Sequence, residues 1–513
     1  MYVQGSQDSH QLDLDAASKF NLSSLFLMNN AAKSVADTIL QHHQPLDGTV
    51  FLLAGPGNNG NDTIITGNLL HTAGFHVILF LFLPDHSSPS FAFLRDNYPY
   101  PCFILEEDDH FQAFTRQYNP RIVVDGLFGV GLSRPVPDCI SKLCIFLNQL
   151  DPHPSVYSVD IPTGISADTG QILGEAVRAD FTVTFDTLKN GHLLFPGKEF
   201  SGKVLVKKIG FPDNLIRENS HGFTFQNEDD FIKIGWLHLP KRSENSYKGS
   251  YGKAGIFGGS KMYPGALALS TESCLRSGTG LVYGFFPENE STYINPLLHQ
   301  EVIRIPLSES SLKQPESLAV KLNPLQVFGI GPGLGRLSSY STLMKYLLEV
   351  HPIPLLIDAD GLFYVKPFLP LLQRKMVILT PHLGEMSLLT NLSTVEIQSD
   401  LLSVALHYAS LWHVIIVLKS ATTIVAHPNG RYYINPISQS ALAKGGSGDI
   451  LTGIICGLLA QNTDPFWACI LGVYLHSKAA QCASSKLSSV SVLPSDIILE
   501  MNQIFLDWEK AQV

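Results

Sequence analysis

The 513-residue sequence is poor in charge, in paired cysteines and in long apolar runs. Only 16% of residues are Asp, Glu, Lys or Arg and 45% are hydrophobic, which excludes the polar, charge-rich composition of chains that stay disordered. Basic residues are in the minority, 35 against 45 acidic, so the formal net charge of -10 offers no global field for nucleic acid or an anionic membrane. The cysteines at 102, 139, 144, 274, 456, 469 and 482 are scattered, odd in number and without a C-x-x-C pair, which argues against a disulfide framework and a zinc site. The longest purely apolar runs, such as 77–83, have the length of a strand and fall far short of the roughly 20 residues that span a bilayer. The opening MYVQGSQDSHQLDLD lacks the basic start and apolar core of a signal peptide, so the expectation is a protein of the reducing cytoplasm.

What is present is alternation. The length predicts two domains, or at most three. Short apolar runs at 50–54, 77–83, 122–124, 156–159 and 181–185 alternate with helical patterns, the signature of parallel α/β units. Ile64, Ile65, Leu69 and Leu70 recur at helical spacing before the Gly74 stop. The pattern weakens over 211–249, which places a domain boundary near 220. A second series follows at 254–257, 281–286, 327–330, 355–357, 376–379, 414–418 and 423–425, ending in a helix-rich tail from Asp449.

In the first half every strong polar motif follows a strand, where open α/β sheets place their ligands. Gly55, Gly57 and Gly60 formally satisfy the dinucleotide pattern G-x-G-x-x-G. That pattern also asks for an acid roughly 20 residues further on for the ribose; the first acid after the second strand is Asp85, following Pro84 and rather late. Asn58 and Asn59 bring hard amide oxygens suited to a cation instead. Asp125-Gly-Leu-Phe-Gly-Val-Gly-Leu132, Asp160-Ile-Pro-Thr-Gly164 and Asp186-Thr-Leu-Lys189 follow later strands. Each alone reads as a helix cap or turn punctuation, and their joint occurrence points to a convergent site.

The segments Asn58-Asn59-Gly60-Asn61-Asp62, Asp125…Gly129-x-Gly131-Leu132 and Asp160-Ile-Pro-Thr-Gly…Ala167-Asp168-Thr169-Gly170 resemble the N-N-G-G-D, D-x-x-x-G-x-G-L and D-I-P-S-G-x-x-A-D-T-G motifs of the NAD(P)H-hydrate epimerase family. The resemblance covers about the first 220 residues and implies a Rossmann-like three-layer domain. It implies that Asn58, Asn59, Gly60, Asn61 and Asp62, with Gly129, Val130, Gly131, Leu132, Ser133, Arg134 and Pro135, hold the hydrated nicotinamide nucleotide. Asn59, Asp125 and Thr163 would bind a potassium ion, and Asp160 would contact substrate with Lys189 as acid/base partner. Inverting a hydroxyl-bearing carbon needs a proton taken and returned, not a hydride acceptor. Asn61 and Thr63 replace two family glycines and add bulk where backbone approaches ligand.

In the second half, Lys444-Gly-Gly-Ser-Gly448-Asp449 opens a helix and exposes several N–H groups at the positive end of its dipole. This resembles the ribokinase-like superfamily, whose G-x-G-D aspartate activates a hydroxyl toward a nucleotide phosphate. Eight further motifs in order, among them Pro264-Gly-Ala266, Gly331-Pro-Gly333, Asp358-Ala-Asp360, Thr380-Pro-His382 and Lys419-Ser-Ala-Thr-Thr423, resemble the ADP-dependent NAD(P)H-hydrate dehydratase family. By that resemblance Ala266, Gly333, His382 and Asp449 contact the hydrate, while Lys419, Ser420, Ala421, Thr422, Thr423 and Gly448 bind the adenine nucleotide. His382 also reads as a helix cap, and Asp358 with Asp360 as a strand-end pair without a fixed role.

The combined expectation is an α/β chain with an epimerase domain over 1–220 and a ribokinase-like dehydratase domain over 221–513. It would act on NADHX and NADPHX with ADP as co-substrate and potassium as cofactor, with magnesium as a further candidate ion, in a homo-oligomer without nucleic-acid or membrane partners. Two competing readings are a vitamin-precursor or sugar kinase with an inactive N-terminal domain, and a nucleotide-sensing or protein-binding N-terminal module.

Overall fold

The computed structural model describes residues 1–82, 98, 100–105 and 108–511. Leu83, at the end of one expected strand, and Asp85 lie outside the described residues. Two compact units, Met1–Phe223 and Thr224–Val513, divide the chain.

In the first unit the strands are β1 (Tyr2–Gln4), β2 (Thr49–Ala54), β3 (His76–Leu81), β4 (Cys102–Ile104), β5 (Ile122–Gly126), β6 (Ser155–Val159), β7 (Phe181–Phe185), β8 (Leu188–Lys189), β9 (Lys203–Lys207) and β10 (Gly222–Phe223). A 7-stranded sheet runs in the order β4-β3-β2-β5-β6-β7-β9, and all its pairs are parallel. β2 is buried along its whole length because helices cover both faces. Val50, Leu52 and Ala54 pack with Leu79 and Val124 on one side, and Phe51 and Leu53 with Phe80 and Val123 on the other. This alternation is the period-2 geometry of a strand buried on both faces. The order reverses between β2 and β5, so the loops after these two strands open a crevice at the carboxyl edge.

Helix α1 (Ser6–Phe20) and helix α2 (Ser24–His42) precede that sheet, and α3 (Asn58–Thr72) follows β2. The short β1 pairs antiparallel with β10 and parallel with β8, setting Gln4 opposite Lys189. Leu12 and Ala16 of α1 pack against Leu215 and Ile216.

In the second unit, β11 (Lys253–Phe257), β12 (Leu281–Pro287), β13 (Ile303–Leu307), β14 (Val327–Ile330), β15 (Leu355–Ile357), β16 (Val377–Leu379), β17 (Ile415–Leu418), β18 (Ile424–Ala426) and β19 (Tyr432–Ile434) lie in the order β13-β12-β11-β14-β15-β16-β17-β18-β19. Pairings from β13 to β17 are parallel, and the β17-β18-β19 end is antiparallel. The expected helical tail consists of Ser447–Ala460, Pro465–Lys486 and Pro494–Lys510. The order reverses between β11 and β14, giving this unit its own carboxyl-edge crevice. The α/β class read from the sequence holds in both units.

Candidate functional site

In the first unit the crevice is built from the ends of β2, β5, β6 and β8. Asp125, the fourth residue of β5, is fully buried. Its carboxylate accepts from Thr163 Oγ1 at 2.6 Å, Thr163 N at 2.9 Å and Ser158 Oγ at 2.8 Å. Burial pushes its pKa up, opposed by these hydrogen bonds. The Thr163 hydroxyl also accepts from Phe128 N at 3.1 Å. Asn59 Nδ2 donates to Val159 O at 2.7 Å and to Phe128 O at 3.4 Å. The three residues expected to share a cation therefore meet around the loop after β5. A Cβ on Gly129 would lie 2.5 Å from the Asn59 amide atoms, so a larger residue there would displace the Asn59 side chain.

Asp160 follows β6 with φ of 62°, a left-handed backbone at a non-glycine residue, as found where a site constrains the chain. Lys189 Nζ donates to Asp160 Oδ1 at 2.7 Å and to Thr184 Oγ1 at 3.0 Å, and Thr184 Oγ1 donates to the same Oδ1 at 2.8 Å. Burial pushes Asp160 up, but the Lys189 charge and the Lys189 and Thr184 hydrogen bonds outweigh it and hold the carboxyl below its ordinary range. His192 is buried beside this pair, accepts from Lys189 N at 3.1 Å, and is driven down to about 3 by burial and the Lys189 charge, so it stays neutral.

A cavity of about 770 Å³ opens on this edge, with Asp13, Asn59, Asp62, Arg134, Asp160 and Lys189 in its wall. Asn58, Gly129, Val130, Gly131, Leu132 and Ser133 also line it, whereas Gly60, Asn61 and Pro135 do not. The bulk of Asn61 and Thr63 lies elsewhere: both side chains are fully buried, and Thr63 Oγ1 donates back to Asn59 O at 2.8 Å. Asp62 is 6% exposed and no donor reaches its Oδ1.

The sequence reading missed α1, whose Ser9, His10 and Asp13 face the cavity. It also missed the work of Asp168 in the A-D-T-G motif, which accepts from Ser6 N at 2.7 Å and Ser6 Oγ at 2.6 Å and so caps α1 from far along the chain. Neither a local helix pattern nor a spacing rule signals a cap supplied by a remote loop.

In the second unit the charged groups gather at the ends of β15, β16 and β17 and at the start of Ser447–Ala460. Lys419 Nζ donates to Asp358 Oδ1 at 2.7 Å and stands 4.0 Å from Glu385 Oε2. Thr452 Oγ1 holds the other Asp358 oxygen at 2.7 Å. Gly448 sits against this lysine, a Cβ there lying 3.4 Å from Lys419 Nζ. Burial pushes Asp449 up to about 7, with Asp358 adding and Lys419 opposing. Glu385 also rises to about 7, chiefly through burial. Asp358 thus acquires a role, as the anchor of Lys419, while Asp360 accepts from Gly335 N at 2.8 Å and pairs with Arg336.

His382 does cap the helix Leu383–Thr390: its Nδ1 accepts from Gly384 N at 3.0 Å and Glu385 N at 3.2 Å, and Glu385 Oε2 accepts from His382 N at 2.8 Å. With Nδ1 accepting, the neutral ring carries its proton on Nε2, and the side chain is 60% exposed. Ala266 and Gly333 touch, since a Cβ on Gly333, at φ of 60°, would stand 2.8 Å from that of Ala266. Lys419, Ser420, Ala421, Thr422 and Thr423 bridge β17 and β18, with Ser420 Oγ accepting from Thr422 N at 3.2 Å. Among the described residues no group of three or more His, Cys, Asp or Glu could hold a metal ion, and no helix is long and apolar enough to cross a membrane.

Two α/β units, each with a lysine–aspartate ion pair at the carboxyl edge of its sheet, have the form of a two-site enzyme with one ligand crevice per unit. A family profile described as NAD(P)H-hydrate dehydratase matches residues 254–503, and one described as YjeF-related protein N-terminus matches 24–191. The bifunctional NAD(P)H-hydrate repair enzyme Nnr of Moorella thermoacetica is 31% identical over 518 residues, covering 97% of this chain and 95% of its own. Among solved structures, an ADP/ATP-dependent NAD(P)H-hydrate dehydratase from Bacillus subtilis co-crystallized with ATP and Mg2+ is 30% identical, covers 56% of this chain and 98% of its own, and has a TM-score of 0.48. A ribokinase-like superfamily protein from Enterococcus faecalis is 25% identical, covers 56% and 96%, and also scores 0.48. The chain belongs to the family of bifunctional NAD(P)H-hydrate repair enzymes.

Proposed function

We propose that this chain repairs hydrated nicotinamide nucleotides, with residues 1–220 interconverting the R and S forms of NADHX and NADPHX and residues 221–513 dehydrating the S form at the expense of ADP. The observation that carries the reading is that both charged centres, Asp160 with Lys189 and Asp449 with Lys419, stand in one chain of this family. In the first unit the ionised Asp160 contacts the hydrate's hydroxyl, with Lys189 fixing its charge. Asn59, Asp125 and Thr163 are the residues that would hold potassium. Their amide, carboxylate and hydroxyl oxygens suit a hard cation, and Asp125 is buried with no basic side chain paired to it among the described residues. Bound there, the ion would balance Asp125 and fix the loops after β2 and β5.

In the second unit Asp449 takes the hydroxyl proton as the oxygen attacks the β-phosphorus of ADP and AMP leaves. Phosphate then departs, the proton on the neighbouring ring carbon is lost, and NAD(P)H is restored with AMP and phosphate as by-products. Water is a poor leaving group and phosphate a good one. Gly448 and the 419–423 turn hold the nucleotide, while Ala266, Gly333 and His382 hold the hydrate. Magnesium would arrive on the nucleotide phosphates.

The test supplies purified protein, ADP and potassium to a mixture of both hydrates and follows reduced-nicotinamide absorbance. Full conversion is expected. Persistence of the R form sinks the epimerase half. Transfer of phosphate from ATP to a stable product would instead favour a vitamin-precursor or sugar kinase.

A further inference from the structure

Asp62 stands apart from the other acids of the first unit. It lies in the first turns of α3 and shares its cavity with Asp160 and Lys189. Asp160 has the ammonium group of Lys189 at 2.7 Å, whereas no donor at all reaches Asp62 Oδ1 although the residue is 94% buried. A buried, unpaired carboxyl is stable only as the neutral acid. The charged groups that face it make this stronger, because Asp160 after β6 and Asp13 on α1 both oppose its ionisation. His10 on α1, Lys189 on β8 and Arg134 complete the titratable wall of the cavity. The cavity thus holds one carboxyl biased toward its ionised form and one biased toward its protonated form, the division of roles that acid–base pairs require.

We propose that Asp62 is the proton donor of the epimerisation, working opposite Asp160 as proton acceptor. The inference rests on the epimerase reading above. The hydrated ring is a hemiaminal, with its hydroxyl on the carbon bonded to the ring nitrogen. Asp160 removes the hydroxyl proton, the C–O bond becomes a carbonyl, and the carbon–nitrogen bond breaks with its electron pair passing to nitrogen. Asp62 protonates that nitrogen. The aldehyde carbon is now planar; after rotation about its bond to the ring chain, nitrogen adds to the opposite face, Asp62 recovers its proton from nitrogen, and Asp160 returns its proton to oxygen. No electron acceptor is consumed and both carboxyls end as they began.

The experiment uses the full chain carrying Asp62→Asn, assayed for appearance of R hydrate from pure S hydrate without ADP. A fall in kcat of about 100-fold or more is expected, the usual worth of a positioned acid, with KM within about threefold of wild type because an amide still hydrogen-bonds. The wild-type rate falls at high pH as Asp62 loses its proton, and the variant loses that limb. In Asp62→Ala, added formate at mildly acidic pH restores the rate about tenfold, since a free carboxylic acid replaces the missing donor. Unchanged kcat, or a raised KM at unchanged kcat, overturns the proposal by making Asp62 at most a binding group. If the wild-type chain itself forms no R hydrate, the epimerase reading fails and this assignment with it. That outcome is distinct from a wild type that epimerises beside a variant that does so equally well.

Discussion

Lys189 Nζ and Asp160 Oδ1 meet at 2.7 Å with side chains only 4% and 12% exposed, so water is a poor substitute for either partner. Lys189→Met leaves Asp160 buried beside an apolar chain, and breaking such a pair costs about 3–5 kcal/mol. Urea unfolding monitored on the full chain should show that loss in the first transition, with epimerisation abolished. Since Asp160 is held below its ordinary range, its contribution to stability is present above the unfolded-state carboxylate pKa and disappears as pH falls through the lowered native value. Stability of the variant should depend less on acid.

Dehydration should lose rate as pH drops through about 7, because Asp449 must be ionised to accept a proton and burial has raised it to that value. Lys419 opposes the rise, so Lys419→Met moves the acid limb to higher pH as well as weakening ADP binding. The position of the limb, not the height of the profile, is the measurement. A limb that stays in place in Lys419→Met, or survives in Asp449→Asn, removes Asp449 as the base.

Asp168→Ala strips the cap from α1 and should cost about 1 kcal/mol, the typical value for a lost N-cap. Because α1 lines the cavity, the hydrate's KM in the epimerase assay should rise while ADP-dependent dehydration is untouched. An equal effect on both activities would mean that Asp168 supports the fold generally.

Gly126→Ala places a Cβ 1.9 Å from Thr63 Oγ1 and 2.7 Å from Asn59 O, so α3 must retreat from β5. Epimerisation and the melting temperature should both fall. An unaltered melt would contradict the close packing of α3 on β5.

The doubly buried strands were legible in the sequence because continuous apolar runs have no other use at that length: 181–185 and 327–330 emerge with the expected bounds. What escaped were strands whose pattern is diluted by an edge. β9 reads KVLVK with lysines at both ends and sits at the margin of its sheet, and β13 carries Pro306, tolerated because it too is an edge strand. β1, of three residues, has no periodicity to detect. In the sites, motif positions led to Asp125 with Thr163 and to Asp160 with Lys189, since strand ends fix where such residues gather. Glu385, Asp358 and Asp13 gain their surroundings from other elements, which no local pattern announces. The His382 cap shows that a bland local explanation and a place beside the charged centre coexist in one residue.

The position of β1 between β8 and β10 has a bearing on biosynthesis. Tyr2 is synthesised long before its partner strand, which ends at Phe223, and Val3 before Leu188, with which it pairs. The opening residues must therefore wait, unpaired, until nearly the whole first unit has been translated, and α1 can be capped only after Asp168 has emerged. A nascent chain cannot hold a finished epimerisation centre before its lysine-bearing strand exists.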